Sequence, residues 1–132
     1  MITVFFVEDF AEDRVVYRRF LERDEQYSYD IYEFESGEKA LQGCQEKIPD
    51  VILLDYRLPD IDGLEFLNQL QRQTQGSQTS VIMLTGQGDE TITVQAIKSG
   101  AQDYLVKGKL TPDNLRRAVH GAIEQLMQMS IH

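Results

Sequence analysis

A single cysteine, Cys44, occurs in the 132 residues, so the chain can form no internal disulfide and no thiolate-rich metal cluster, and a reducing cytosol suits it. Cys44 itself is expected to be a small buried apolar residue. Positive charge is scarce as well: 13 Lys and Arg stand against 22 Asp and Glu, a formal net charge of -9. That balance repels a phosphate backbone, so direct nucleic-acid binding is not expected. Arg14, Arg18, Arg19 and Arg23 lie close in sequence but are interleaved with Glu12, Asp13, Glu22, Asp24 and Glu25, which predicts a mixed, solvated helix face. Long apolar runs are also missing. Residues 1–9 lack both a basic n-region and an extended apolar stretch; they read as neither signal peptide nor membrane anchor, and the expected location is the cytoplasm, with no membrane partner. No internal repeat, low-complexity tract or linker is visible, and the Gln-, Thr- and Ser-rich stretch 69–79 is short enough to be a helix end and loop.

What is present is an ordinary folding composition, 42% hydrophobic and 27% charged, at a length that suits one domain with one core. The expected domain is residues 1–128, with a short tail at 129–132. Apolar runs rich in β-branched and aromatic residues at 2–7, 51–54, 81–84 and 104–106 predict parallel strands covered on both faces. Residues 29–34 alternate polar and apolar, the pattern of an edge strand. Helical periodicity fills the gaps at 14–23, 37–46 after a cap at Ser36, 63–73, 90–99 closed by Gly100, and 112–127 behind Thr111 and Pro112. Asp60 and Asp62 are expected to cap the helix they precede, with Pro59 and Gly63 shaping the turn. Five βα units in strict alternation imply a doubly wound, five-stranded parallel sheet between two helical layers, α/β in class; a closed eight-unit barrel needs roughly twice the length.

In such sheets functional groups collect at the carboxyl ends of the strands. There the sequence places Glu8 and Asp9 after the first strand, Asp55 after the third, Thr85 after the fourth and Lys107 after the fifth. Three carboxylates at one edge repel each other unless a cation joins them, and an all-oxygen donor set suits a hard ion such as Mg²⁺. With a lysine ammonium and a hydroxyl opposite, the set fits in-line phosphoryl transfer to a carboxylate nucleophile, and Asp55 on the central apolar run is best placed for that role. Taken singly, each residue has a plainer use: a strand-end aspartate caps a helix, a lysine is solvated, a threonine turns the chain. Only the combination points to chemistry. His120 and His132 have no nearby partner set in the sequence. Gly86-Gln87-Gly88 lacks the spacing of a phosphate-binding fingerprint and reads as a flexible loop.

The acidic pair Glu8-Asp9, the segment 49–63 (PDVILLDYRLPDIDG), the Thr85-Gly86 step and Lys107 within Asp103-Tyr104-Leu105-Val106-Lys107 resemble the response-regulator receiver (CheY-like) family of bacterial two-component signalling, over residues 2 to about 126. The resemblance implies a flavodoxin-like, CheY-like three-layer fold and a phosphoacceptor rather than an enzyme acting on a separate substrate. By position it implies Asp55 as phosphoacceptor and Asp9, Asp55 and the Arg57 backbone carbonyl as Mg²⁺ ligands, with Glu8 acting through water. It further implies Thr85 and Lys107 as phosphoryl contacts, and Thr85 with Tyr104 as the switch that reshapes the fourth helix, fifth strand and fifth helix. Arg57 and Gln87 flank the site and are expected to tune loss of the phosphoryl group. Implied partners are a sensor histidine kinase or phosphotransfer protein, a downstream protein or fused output domain, and a second copy through the fourth helix, fifth strand and fifth helix. The 104–108 variant looks like receivers attached to cyanobacterial-style hybrid sensor kinases.

Two positions depart from the family pattern: Glu8, where aspartate is frequent, and Gly108, where proline usually follows the lysine. A cis peptide before a non-proline residue costs about 2.5–4 kcal/mol, so a different turn is expected at 107–108, one that uses glycine's φ freedom. Gly108 keeps open a degenerate receiver that acts as a plain interaction module. A haloacid-dehalogenase-type phosphatase wants an acid at the position of Arg57, and an FMN-binding electron carrier would find Glu8 and Asp9 facing its phosphate.

Overall fold

The computed structural model describes residues 1–74, 79–86 and 90–131. Its elements alternate as β1 (Ile2–Val7), α1 (Ala11–Glu22), β2 (Tyr29–Phe34), α2 (Gly37–Glu46), β3 (Val51–Asp55), α3 (Gly63–Thr74), β4 (Ser80–Thr85), α4 (Glu90–Lys98), β5 (Asp103–Val106) and α5 (Pro112–Ile131), with a 3₁₀ turn at Lys107–Lys109 before α5. The strands form one sheet in the order β2-β1-β3-β4-β5, and every pairing is parallel. The order reverses between β1 and β3, which opens a crevice at the carboxyl ends of those two strands.

Alternation along the strands feeds two separate cores. Phe5 and Val7, Ile52 and Leu54, and Val81 and Met83 face α2, α3 and α4, packing on Leu41, Phe66, Leu67 and Ala96. Val4 and Phe6, Val51 and Leu53, and Ile82 and Leu84 face α1 and α5, packing on Tyr17, Leu21, Leu115 and Val119. A run without polar interruption is what two covered faces require. Cys44 is buried in the first core, as expected, and burial pushes its thiol up to about 11.

β5 does not follow the expectation of two covered faces. It is a four-residue strand at the sheet edge with no fully buried residue, and Tyr104 is 42% exposed; with a neighbour on one side only, its apolar run is half dressed. α1 begins earlier than the apolar periodicity suggests: Phe10 takes the extended cap conformation and Glu12 and Asp13 occupy the first turn, where carboxylates favour the helix dipole. α5 continues through residues 129–131, which the sequence set apart as a tail.

Ser36 accepts from the Lys39 amide at 3.3 Å, Asp62 from Glu65 at 2.9 Å, and Thr111 from Asn114 at 3.1 Å, so these caps lie where the sequence put them. Asp60 is different: its carboxylate accepts from the Gly37 and Glu38 amides at 3.0 and 2.8 Å and so caps α2, across the loop, rather than the helix it precedes. Gly63 is required by close approach, because a Cβ there would lie 2.7 Å from Met83 Sδ and 3.0 Å from Tyr56 Cα. Gly100 ends α4 at φ +111°, a conformation that disfavours any side chain.

His120 has a partner set that its sequence neighbours conceal. Its Nε2 lies 2.6 Å from Asp24 Oδ2, the carboxylate oxygen that the Tyr29 hydroxyl also contacts, and the Tyr27 ring packs edge-on at 5.0 Å. The group ties α5 to the α1–β2 loop. No helix among the described residues is long and apolar enough to cross a membrane.

Candidate functional site

Glu8 and Asp9 follow β1 and Asp55 ends β3, so the sheet order alone brings them together at the crevice. One carboxylate oxygen from each lies within 4.8 Å of the other two. Glu8 is fully buried and Asp55 is 4% exposed. Lys107, just past β5, reaches back across the edge: its Nζ lies 2.7 Å from Glu8 Oε1, 3.0 Å from Asp13 Oδ2 and 3.3 Å from Asp55 Oδ2. It also stands 5.8 Å from the centre of the Phe10 ring.

Electrostatics divide the two buried acids. Burial raises Asp55, and the nearby Glu8 carboxylate raises it further, against the opposing pull of Lys107, so it is pushed up to about 7. Burial would raise Glu8 too, but hydrogen bonds with Lys107, Tyr17 and Asp55 and the charge of Lys107 outweigh it and hold Glu8 below its ordinary value. Glu8 therefore carries the charge that faces Lys107, while Asp55 shares a crowded acidic pair. Lys107 is held above its ordinary value: burial opposes its charge, but Glu8, Asp13 and Asp55 together prevail.

The donor set fits a hard divalent ion. It is all oxygen, its negative charges are concentrated, and Oδ1 of Asp9 is buried with no hydrogen-bond partner. A buried, unpartnered carboxylate oxygen is costly, and a cation at this point would satisfy it while relieving the repulsion between Glu8 and Asp55.

Thr85 ends β4, is 1% exposed, and its hydroxyl donates to the Leu105 carbonyl at 3.5 Å, a stretched contact. Tyr104 lies on β5 and is 42% exposed. Arg57 is exposed, and its amide donates to Asp55 Oδ1 at 3.3 Å. Gln87 lies outside the described residues, as does the centre of the Gly86-Gln87-Gly88 loop. The peptide at Lys107–Gly108 is trans, and Gly108 adopts no positive φ; a Cβ there would meet open space. The expected use of glycine's conformational freedom is therefore corrected: a single 3₁₀ turn, open to any residue, carries the chain out of β5 and still delivers Lys107 to Asp55.

Three participants from α1 were missed in the sequence. Tyr17 is 2% exposed and donates its hydroxyl to Glu8 Oε1 at 2.7 Å. Arg14, expected on a solvated face, has a side chain only 17% exposed; it pairs with Glu33 at 2.9 Å and donates to the Glu8 carbonyl at 2.6 Å. Asp13 meets Lys107. The usable signal was helical spacing: Asp13, Tyr17 and Leu21 recur every four residues on the face that points at the sheet.

A family model for the response regulator receiver domain matches residues 4–120. Over 104 residues the chain is 36% identical to the transcriptional regulatory protein SrrA of Staphylococcus aureus, a match that covers 79% of this chain and 41% of that protein. The chain thus spans less than half the length of such relatives. The crystal structure of a response regulator receiver domain protein from Clostridium thermocellum superimposes with a TM-score of 0.87 at 25% identity, covering 98% of this chain and 99% of that one. The receiver domain of NtrX from Brucella abortus gives 0.81 at 26% identity, covering 92% and 98%. With this sheet order, these strand-end carboxylates and these relatives, the chain belongs to the response regulator receiver domain family of two-component systems.

Proposed function

We propose that this receiver accepts a phosphoryl group on Asp55 from a phosphohistidine of a sensor kinase or phosphotransfer protein. The observation that carries the reading is the meeting of Glu8, Asp9 and Asp55 with Lys107 at one strand edge, together with the unpartnered Oδ1 of Asp9. An Asp55 oxygen bonds to phosphorus as the donor's N–P bond breaks, its electron pair leaving on the imidazole nitrogen. Asp9, Asp55 and the Arg57 carbonyl would hold Mg²⁺, with Glu8 acting through water; the ion supplies neutralisation of the phosphoryl oxygens. Lys107 contributes a second positive charge beside Asp55. Glu8, charged and fixed by Tyr17, keeps that ammonium in place before the group arrives.

Thr85 is the proposed second phosphoryl contact. Its hold on Leu105 is weak, so its hydroxyl is available to turn towards Asp55, vacating space into which the exposed Tyr104 ring can rotate. The consequence is a changed α4–β5–α5 surface, the face offered to a downstream protein, an output domain or a second copy. Arg57, beside the acceptor, is assigned a role in setting the lifetime of the phosphorylated state. Residues 1–128 make up the receiver unit, acting in the cytoplasm as a phosphoacceptor and not as an enzyme on a separate substrate. The plain interaction module rested on Gly108, and the short turn there costs Lys107 none of its reach.

Beryllofluoride, a stable phosphoryl mimic, tests the assignment. Fluorine resonances of a bound species that require Mg²⁺ and vanish in Asp55→Asn are expected; a bound species in Asp55→Asn, or none in the native chain, overturns it.

A further inference from the structure

In this chain the Lys107 ammonium faces three carboxylates: Glu8 at 2.7 Å, Asp13 at 3.0 Å and Asp55 at 3.3 Å. A phosphoryl group on Asp55 must compete with these partners for the ammonium. Glu8 is fully buried and its carboxylate is held by the Tyr17 hydroxyl. Asp55 is the group being modified. Asp13, in the first turn of α1, is 39% exposed and is the partner that water can take back at least cost.

We propose that Asp13 is a positioning residue that competes with the phosphoryl group for Lys107, holding the ammonium part-way out of the site and slowing phosphorylation of Asp55. The proposal rests on the phosphoacceptor assignment of Asp55. Two effects act in one direction. The Asp13 carboxylate draws Lys107 outwards, so that its contact with Asp55 is the longest of the three. It also adds a negative charge beside the approach of an anionic donor. Removal of the charge takes away one competitor for Lys107 and leaves the buried Glu8–Lys107 pair in place.

The test is the rate at which acetyl phosphate labels the full chain in saturating Mg²⁺, followed by intact mass. In that reaction an Asp55 oxygen bonds to phosphorus as the O–P bond of acetyl phosphate breaks and acetate leaves with the electron pair. Asp13→Asn and Asp13→Ala are expected to label about two- to fivefold faster, the range an ion pair of this exposure is worth. Asp13→Glu, which keeps the charge within reach of Lys107, is expected to fall back towards the native rate. Glu12→Gln removes an equal charge from the same turn, from an exposed residue, and is expected to leave the rate unchanged. Native or slower labelling in both neutral Asp13 variants overturns the proposal, as does an equal gain in Glu12→Gln, which would make the effect one of net charge. No labelling of the native chain overturns the phosphoacceptor assignment itself, and the proposal with it.

Discussion

Replacing Asp55 with asparagine is expected to remove a pH-dependent loss of stability from the metal-free protein, whatever constant offset the lost contact with Lys107 brings. Burial and the Glu8 carboxylate push Asp55 from an ordinary 3.8 up to about 7. Because the folded value lies above the unfolded one, folding takes up a proton. The associated stability is fully present below about pH 4 and is lost as pH rises through about 7, at a rate that approaches 1.4 kcal/mol per unit. Between pH 5 and 7 the native chain should therefore lose about 2 kcal/mol relative to Asp55→Asn, which has nothing to ionise at this position. At roughly 4 °C per kcal/mol for a domain of this size, the gap in Tm widens by about 8 °C. Only the change with pH is predicted; any constant offset from the lost Lys107 contact cancels. Saturating Mg²⁺ should close much of the gap, since an ion at a hundred times its Kd adds about 2.7 kcal/mol to the state that binds it. Urea unfolding of both proteins at several pH values, with and without Mg²⁺, measures this. A difference that stays flat from pH 5 to 7 without metal would show that Asp55 is not strained by its surroundings.

Other substitutions probe the scaffold beneath the site. Tyr17→Phe deletes a hydrogen bond to the buried Glu8 carboxylate and should cost about 1.5–3 kcal/mol in urea unfolding; a neutral outcome would mean that Lys107 and the Phe10 amide suffice to hold Glu8. Gly63→Ala drives a methyl group into Met83 Sδ and the Tyr56 backbone and should destabilise by about 1–3 kcal/mol, with no loss if the loop can move aside. Asp60→Ala uncaps α2 and should cost about 1 kcal/mol; if Asp60 instead served α3, amide exchange would rise at residues 63–65 rather than at 37–38.

Strand positions were readable because burial on both faces demands unbroken apolar runs, and the runs at 51–54 and 81–84 each extend by one strand-end residue, Asp55 and Thr85, that carries the chemistry. Glu8, Asp9, Asp55 and Lys107 were readable for a related reason: a doubly wound sheet gathers its strand ends, so position in the chain maps onto position in space. Contacts made through helices were not. Asp13 and Arg14 looked like members of a charged surface helix, and Tyr17 drew no reading, since nothing in one sequence says which helix face meets the first strand end. Asp60 was assigned to the wrong helix because capping across a loop depends on how α2 and the β3–α3 loop pack. His120 and Asp24 lie 96 residues apart, and only the packing of α5 against α1 joins them. At Gly108, glycine suggested conformational need where the backbone has none.

Intact mass after incubation with acetyl phosphate, with and without Mg²⁺, in the native chain and in Asp55→Asn, addresses the central assignment most directly. One added phosphoryl group is expected in the native chain, only with Mg²⁺, and none in the variant. A native chain that stays unmodified with Mg²⁺ present, or a variant that is modified equally, would contradict it.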